Sequence, residues 1–244
     1  MEKKNRELLF FIPEYPRIPH VKCDYRGEGI SNVLDRTDLI EDFNIEKEVY
    51  VSEKVDGANL GFTWSKNGPL LRNRDHILKK NFIAKTKAKK QFVPAWNYIH
   101  EKEDVVKEII ENYTLPLSFY GEWMWAEHSL NYDTLKDYFL LFDVFSPEEN
   151  QWLSPKAIID LVGEKLEVIP SKKIKFLDKT EIVKEAERES LYRSNNGKRE
   201  GIVIKEIDEK DNFIIKRFKV VNQTFKREID WIKKDLIKNK IWKQ

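Results

Sequence analysis

The 244-residue chain has a single cysteine, Cys23, so no intramolecular disulfide and no thiolate metal cluster can form within it. Nine glycines and nine prolines are scattered along it, with no low-complexity tract, repeat or Gly/Ser linker. Long apolar runs are missing too. The longest, such as Phe139-Leu140-Leu141-Phe142, fall far short of a membrane span. Leu8 to Ile12 follows a basic start but is cut by Pro13, which leaves no secretory core, and the chain reads as cytoplasmic. Its four histidines show no metal-ligand spacing. Charge of one sign is scarce overall: 44 basic against 42 acidic residues give a net +2, so the total says nothing about a polyanionic partner.

What is present is a chain able to build a core, with 41% hydrophobic and 35% charged residues. The charge is also locally uneven. Residues 79–91 carry Lys79, Lys80, Lys85, Lys87, Lys89 and Lys90 with no acid, and residues 211–244 carry ten basic residues against four acidic ones. Each run alone suits a solvated helix face; two in one chain make a polyanion plausible as a partner.

Residues 47–64 read as strand, Asp56-Gly57 turn, strand. Helical spacing of Trp96, Ile99, Val106, Ile109 and Tyr113 predicts a helix over 95–113, with shorter helices at 155–162 and 180–190. Strands are expected at 118–125, 137–145, 199–206 and 212–219. Phe225, Ile229, Ile232 and Leu236 predict a basic amphipathic helix over 223–242. Strands and helices mix without strict alternation, which argues for an α+β fold with antiparallel sheets.

Five stretches carry chemistry. In Glu53-Lys54-Val55-Asp56-Gly57-Ala58-Asn59 a lysine leaves a strand and meets a tight turn. Such a lysine is either a surface residue beside a turn or a nucleophile at the floor of a cleft. In Glu200-Gly201-Ile202-Val203-Ile204-Lys205 the strand period puts Gly201, Val203 and Lys205 on one face, suited to a flat base over Val203 and a phosphate near Lys205. An ordinary half-buried strand has the same pattern. Phe119-Tyr120-Gly121-Glu122-Trp123 places a glutamate in an aromatic strand. Tyr138 to Phe145 is a core strand in which Asp143 is the odd member, because a buried carboxylate needs a partner. Lys216-Arg217-Phe218-Lys219 is either a charged edge strand or an anion site, with Arg217 and Lys219 sharing a face unless a bulge brings in Lys216.

The order of these motifs, with Arg72 and Arg74 after the second strand, resembles the covalent nucleotidyltransferase superfamily of polynucleotide ligases and capping enzymes, over roughly residues 15–219. Asn59 two residues beyond the motif glycine, the opening Tyr15-Pro16-Arg17-Ile18-Pro19-His20, and the block from Gly121-Glu122-Trp123 to Asp143 look most like the RNA ligase family, RNA ligase 2-like branch. The resemblance implies an α+β, ATP-grasp-like adenylation domain over 1–222, with two antiparallel sheets flanking a nucleotide cleft. The basic helix of 223–244 would pack on it or extend it, in place of a separate OB domain.

The resemblance further implies ATP with Mg²⁺ or Mn²⁺ as cofactors, a lysyl–AMP adduct on Lys54, and RNA 5′-phosphate and 3′-OH ends as substrates, nicked or structured. It leaves room for a protein partner in end recognition. Lys54 would be the catalytic nucleophile, with Lys205 and Lys219 holding phosphates. Glu53 would contact the adenine edge, and Arg74 (or Arg72) the ribose or 5′-phosphate. Glu122 would bind ribose or metal, and Glu200 metal. Phe142 and Val203 would sandwich the adenine. Lys216 or Arg217 would contact the nucleotide, and Asn59 the RNA acceptor end. The cations at 205, 216, 217 and 219, with a divalent metal, are expected to supply the field that strips the Lys54 proton. A minimal DNA ligase or guanylyltransferase core, or a degenerate RNA-binding protein, are the alternatives.

Overall fold

The structure, a computed structural model, describes residues 12–21, 39–40, 47–65, 68–80, 86–208, 210, 212–226 and 235–242. Two six-stranded sheets form the frame. The first holds β1 (His20–Val21), β2 (Leu39–Ile40), β3 (Val49–Lys54), β10 (Ser171–Ile174), β11 (Gly201–Asp208) and β12 (Phe213–Val221), in the order β10-β3-β11-β12-β1-β2. The second holds β4 (Ala58–Ser65), β5 (Gly68–Asn73), β6 (Ile77–Leu78), β7 (Ser118–Trp123), β8 (Phe139–Ser146) and β9 (Gln151–Trp152), in the order β6-β5-β4-β7-β8-β9. The fold is α+β, as the mixed pattern predicts. One detail differs. The second sheet is antiparallel throughout, but in the first β1 runs parallel to both β12 and β2, so that sheet is mixed.

Each sheet buries one face under helices. Against the second lie α2 (Val93–Glu101), α3 (Glu103–Ile110) and α4 (Pro155–Val162), which join Phe62, Phe119, Phe139 and Leu141 in one core through Trp96, Ile99, Val106, Ile109, Ile158 and Val162. The short α1 (Lys87–Lys90) precedes them, capped by the Thr86 hydroxyl. Against the first sheet lies α5 (Lys179–Ala186), with Ile182 and Ala186 on Val49, Val51, Ile202 and Ile204. Among the described residues no helix is long and apolar enough to cross a membrane.

The helix predicted over 95–113 is two helices that break at Lys102, where ψ rises to 7° and its N–H bonds back to Tyr98 and Ile99. The apolar spacing survives because both halves bury the same stripe against one sheet. The helix predicted over 223–242 is not found in its described parts. Residues 223–224 form a turn, and 235–242 are non-helical, with isolated bridges from Ala126 to Lys238 and from Leu135 to Ile241. Residues 227–234 lie outside the described residues.

The crossing from β3 to β4 matters most. These strands belong to different sheets, so Val55-Asp56-Gly57 is the junction of the two layers, and Lys54 is the last residue before it. The other faces of the sheets meet on each side of that junction.

Candidate active site

Register assembles the floor. Across the first sheet Lys54 stands opposite Gly201, Ser52 opposite Val203 and Tyr50 opposite Lys205. On the next strand Gly201 pairs with Val221, Val203 with Lys219 and Lys205 with Arg217. Paired residues share a face, so Lys54, Val203, Lys205, Lys219 and Arg217 lie on one surface. Lys205 is four residues along β11 from Lys54's partner, or about 13 Å at strand rise. A Cβ on Gly201 would come within 2.1 Å of the Val220 carbonyl oxygen, so the strand beside Lys54 tolerates only glycine there.

The second sheet supplies the opposite wall. Asn59 pairs with Glu122, and Gly61 with Tyr120. Between Tyr120 and Gly121 the register with β8 slips by one: Tyr120 faces Asp143 while Gly121 faces Leu141. Phe142 is thus the extra residue of a β-bulge, a device that re-aims a side chain and its carbonyl.

Lys54 is where the walls converge. Its Nζ lies 2.5 Å from Glu200 Oε2, and its side chain keeps 27% exposure. Glu122 reaches the same junction and accepts from the Gly57 N–H at 3.2 Å. Burial alone would lower the Lys54 pKa, but Glu200, then Glu122 and Asp56, raise it above its ordinary value. Burial pushes Glu122 up to about 7, against Lys54 and helped by Glu200. This corrects the side-chain part of the expectation: the charges that act most strongly on Lys54 are carboxylates, not Lys205, Lys216, Arg217 or Lys219.

The cations are engaged elsewhere in the cleft. Lys205 Nζ donates to Asp143 Oδ1 at 2.9 Å and to the Phe142 carbonyl at 2.7 Å. Arg217 Nε donates to Asp143 Oδ2 at 2.9 Å, and the Tyr15 hydroxyl to the same oxygen at 2.5 Å. The Arg217 guanidinium also lies 4.5 Å from the Trp152 ring centroid. Burial would raise the Asp143 pKa, but Arg217 and Lys205 hold it below the ordinary carboxylate range. Asp143 therefore has the partners that its burial demands.

Three other residues need correction. Glu53 is one position out of phase with Lys54, and its carboxylate is taken by the Ser190 hydroxyl at 2.5 Å and the Leu191 N–H at 2.8 Å. Its side chain therefore holds the loop before Glu200 and does not face the Lys54 surface. Arg72, the alternative to Arg74, is buried and donates to the Ile12, Asn73 and Arg74 carbonyls. Arg74 itself is exposed and its charge reaches Glu122. Lys216 pairs with Glu206, one step out of phase with Arg217; a bulge does occur, but beyond this pair, at Glu206/Ile207. Lys216 thus points away from the Lys54 face, and Arg217 with Lys219 form the pair on it.

Two polar atoms on this surface are buried without a hydrogen-bond partner, Asn59 Oδ1 and Arg217 Nη2. Among the described residues no three His, Cys, Asp or Glu side chains converge on a metal position, so any cation here would rest on Glu122, Glu200 and ligand oxygens.

The sequence model of the RNA ligase family matches residues 47–221. The chain belongs to the RNA ligase family. Among solved structures, Naegleria gruberi RNA ligase with PPi aligns at TM-score 0.55 and 21% identity, over 72% of this chain and 50% of that one. A variant of the same ligase with ATP and Mn aligns at TM-score 0.55 with the same identity and coverage. A variant with AMP and Mn aligns at 0.54 and 16% identity, over 87% of this chain and 56% of that one. This chain spans about half the length of these relatives, and at such identities the likeness speaks for the fold. No curated protein sequence matches the chain.

Several positioning residues of this RNA ligase family member escape the motif reading. Asp56 Oδ2 accepts from the Ser129 and Leu130 N–H groups at 2.7 and 3.0 Å, and the Tyr132 hydroxyl accepts from the Asp56 N–H at 2.8 Å. Asn222, 3% exposed, ties the Glu200 strand entry through the Arg199 and Glu200 carbonyls. Tyr15 carries a signal, since it opens the lead-in segment. Tyr132 and Asn222 carry none, because their partners are distant in sequence.

Proposed function

We propose that this chain is an ATP-dependent RNA ligase that works through a lysyl–AMP intermediate on Lys54. The observation that carries the reading is the meeting of Lys54, at the end of β3, with Glu200, just before β11, and Glu122, on β7, at the junction of the two sheets. Few structural needs account for a half-covered lysine there; a nucleophile that must be held and later freed of its proton does.

In the first step the Lys54 amine attacks the α-phosphorus of ATP. The N–P bond forms, the Pα–O bond to the β-phosphate breaks, pyrophosphate leaves with the electron pair, and the proton lost from the nitrogen passes to solvent. In the second step an oxygen of the RNA 5′-phosphate attacks the same phosphorus, and Lys54 leaves and takes up a proton. In the third the oxygen of a 3′-hydroxyl attacks the activated 5′-phosphorus, the new P–O bond forms as the P–O bond to AMP breaks, AMP leaves with the electron pair, and the hydroxyl proton passes to solvent. Val203 and Phe142 offer an aliphatic and an aromatic face for the adenine. Lys205, Lys219 and Arg217 face the phosphates, and Arg74 the ribose or 5′-phosphate. The orphan Asn59 oxygen is an acceptor for a hydroxyl of the acceptor end, and the orphan Arg217 Nη2 is a donor for a phosphate oxygen. Mg²⁺ or Mn²⁺ would rest on Glu122 and Glu200, with phosphate oxygens filling the coordination that two carboxylates leave open. When bound, it supplies positive charge that offsets the carboxylates around Lys54 and the charge building on the phosphates.

Incubation with α-³²P-ATP and Mg²⁺ or Mn²⁺ should give protein-bound label that Lys54→Ala reduces to background while thermal stability is kept. Label of equal strength from GTP would move the chain toward guanylyl transfer. An unlabelled wild type with both nucleotides and both metals would end the ligase reading. Sealing of nicked duplexes that differ only in ribose or deoxyribose at the 3′-OH side then tests RNA preference.

A further inference from the structure

The family match ends at residue 221, yet residues 235–242 are built into the ground behind the Lys54 turn. Asn239 is the centre of this contact. It is 2% exposed, and every side-chain polar atom is used. Its Oδ1 accepts from the Tyr132 N–H at 2.9 Å, and its Nδ2 donates to the Met124 and Ala126 carbonyls at 2.8 and 3.2 Å. Its backbone N–H donates to Trp125 O at 3.1 Å, and its carbonyl accepts from the Tyr138 hydroxyl at 3.2 Å. On either side, Ile237 O accepts from the Glu127 N–H, and the Lys240 and Trp242 N–H groups donate to Tyr132 and Leu135. Ile241 packs with Val55, Met124, Tyr132 and Leu140.

The loop gripped in this way is the one that fixes the turn after the nucleophile. Ser129 and Leu130 hold the Asp56 carboxylate, and Tyr132 holds the Asp56 N–H. Met124 and the Trp123 carbonyl lie where a Cβ on Gly57 would come within 2.8 and 2.9 Å. The chain of contacts therefore runs from Asn239 through Tyr132 to Asp56, two residues from Lys54.

We infer that Asn239 is a positioning residue for Lys54: the 235–242 segment clamps the 124–132 loop, and the loop aims the nucleophile. The inference rests on the proposed ligase chemistry. Misplacement of a reacting atom by about 1 Å costs up to about a hundredfold in rate, whereas a clamp that only adds stability changes how much protein is active, not how fast each active molecule reacts.

The test is single-turnover formation of protein-bound AMP with α-³²P-ATP, with rate constant, end-point amplitude and half-saturating ATP read separately, beside thermal unfolding. Asn239→Ala should lower the rate constant by about tenfold or more with the half-saturating ATP unchanged. Asn239→Asp, which keeps the acceptor for the Tyr132 N–H and loses the donors, should fall between. Trp242→Ala, at a residue that is 58% exposed and bonds to Leu135 only through its backbone N–H, should react as wild type. Lower amplitude with an unchanged rate constant in Asn239→Ala would overturn the inference and leave a structural role only. Should Asn239→Ala fail to fold, Tyr132→Phe removes just the hydroxyl on Asp56, and a rate constant within twofold of wild type overturns it equally. Absence of label in wild type would instead refute the ligase reading itself.

Discussion

The cleft holds two buried charge clusters of opposite composition. Around Lys54 three carboxylates, Glu200, Glu122 and Asp56, act on one ammonium ion. Around Asp143 two cations, Lys205 and Arg217, and the Tyr15 hydroxyl act on one carboxylate. Both pairs of walls are the same two sheets, so the difference lies in the residues that register brings together. The first cluster has surplus negative charge and a partly exposed cation, which suits added positive charge. The second has surplus positive charge, is more deeply buried, and keeps one guanidinium nitrogen without a hydrogen-bond partner. Across one floor the cleft is thus polarised, as the proposed ligase reading requires.

The contrast breaks most plainly by removing one anion from each cluster. Asp143→Ala leaves Lys205 and Arg217 buried, close together and unpaired; side-chain exposures of 5% and 9% give water little access. We expect a loss of about 3–5 kcal/mol, or about 10 °C in Tm. Glu200→Gln leaves Lys54 beside Glu122 and still partly hydrated, so Tm should move by only a few degrees while protein-bound AMP forms on the order of a hundredfold more slowly. Calorimetry and the labelling rate, measured on both variants, check the pair. A large Tm loss in Glu200→Gln with intact labelling would reverse the assignment of the two clusters.

A titration sharpens the same comparison. Glu122, raised to about 7, binds a proton in the folded chain at pH values where the unfolded chain has released it. Its contribution to stability therefore falls as pH rises from the ordinary carboxylate range through about 7. Glu122→Gln should flatten that stretch and be the more stable form at pH 8, with the difference shrinking at pH 5. Asp143, held low, contributes in the other sense: its stabilisation is complete above the ordinary carboxylate range and is lost only in acid below it. Thermal melts of wild type and Glu122→Gln between pH 5 and 8 read the sign directly. For labelling, removal of the Glu122 charge should let Lys54 lose its proton at lower pH, since Glu122 is one of the groups that raises it.

What the sequence discloses of all this follows from range. Strand period alone puts Val203 with Lys205 and Arg217 with Lys219, because a hydrogen-bonded ladder enforces alternation. The same rule sets Glu53 opposite to Lys54, and so its carboxylate is turned toward Ser190. The Asp-Gly turn marks the end of β3, but not that β4 belongs to another sheet, which is what makes Lys54 a junction residue. Asp143 announces that it needs partners without naming them. The bulge at Phe142 has no local mark. In the described residues 235–242 tertiary contacts outweigh helical spacing: Asn239 finds three side-chain hydrogen bonds and Ile241 a core.

The smallest expected effect concerns what keeps the second cluster aimed. Arg217 bonds Asp143 through Nε while its guanidinium carbon lies 4.5 Å from the Trp152 ring centroid, a pairing of ion contact and ring contact that suits a guanidinium better than an ammonium group. Trp152 is half-buried on edge strand β9 and contacts Tyr15, Tyr120 and Phe145, so its ring is fixed from behind. Trp152→Leu removes the π face but not the ion pair, and should cost about 1 kcal/mol of stability. Its larger signature should be a several-fold rise in half-saturating ATP for labelling at a nearly unchanged rate constant, with Trp152→Phe recovering most of it. A fall in rate constant at unchanged ATP dependence would place Arg217 beside the reacting phosphorus, and would erase the division between a nucleophile cluster and an anion cluster.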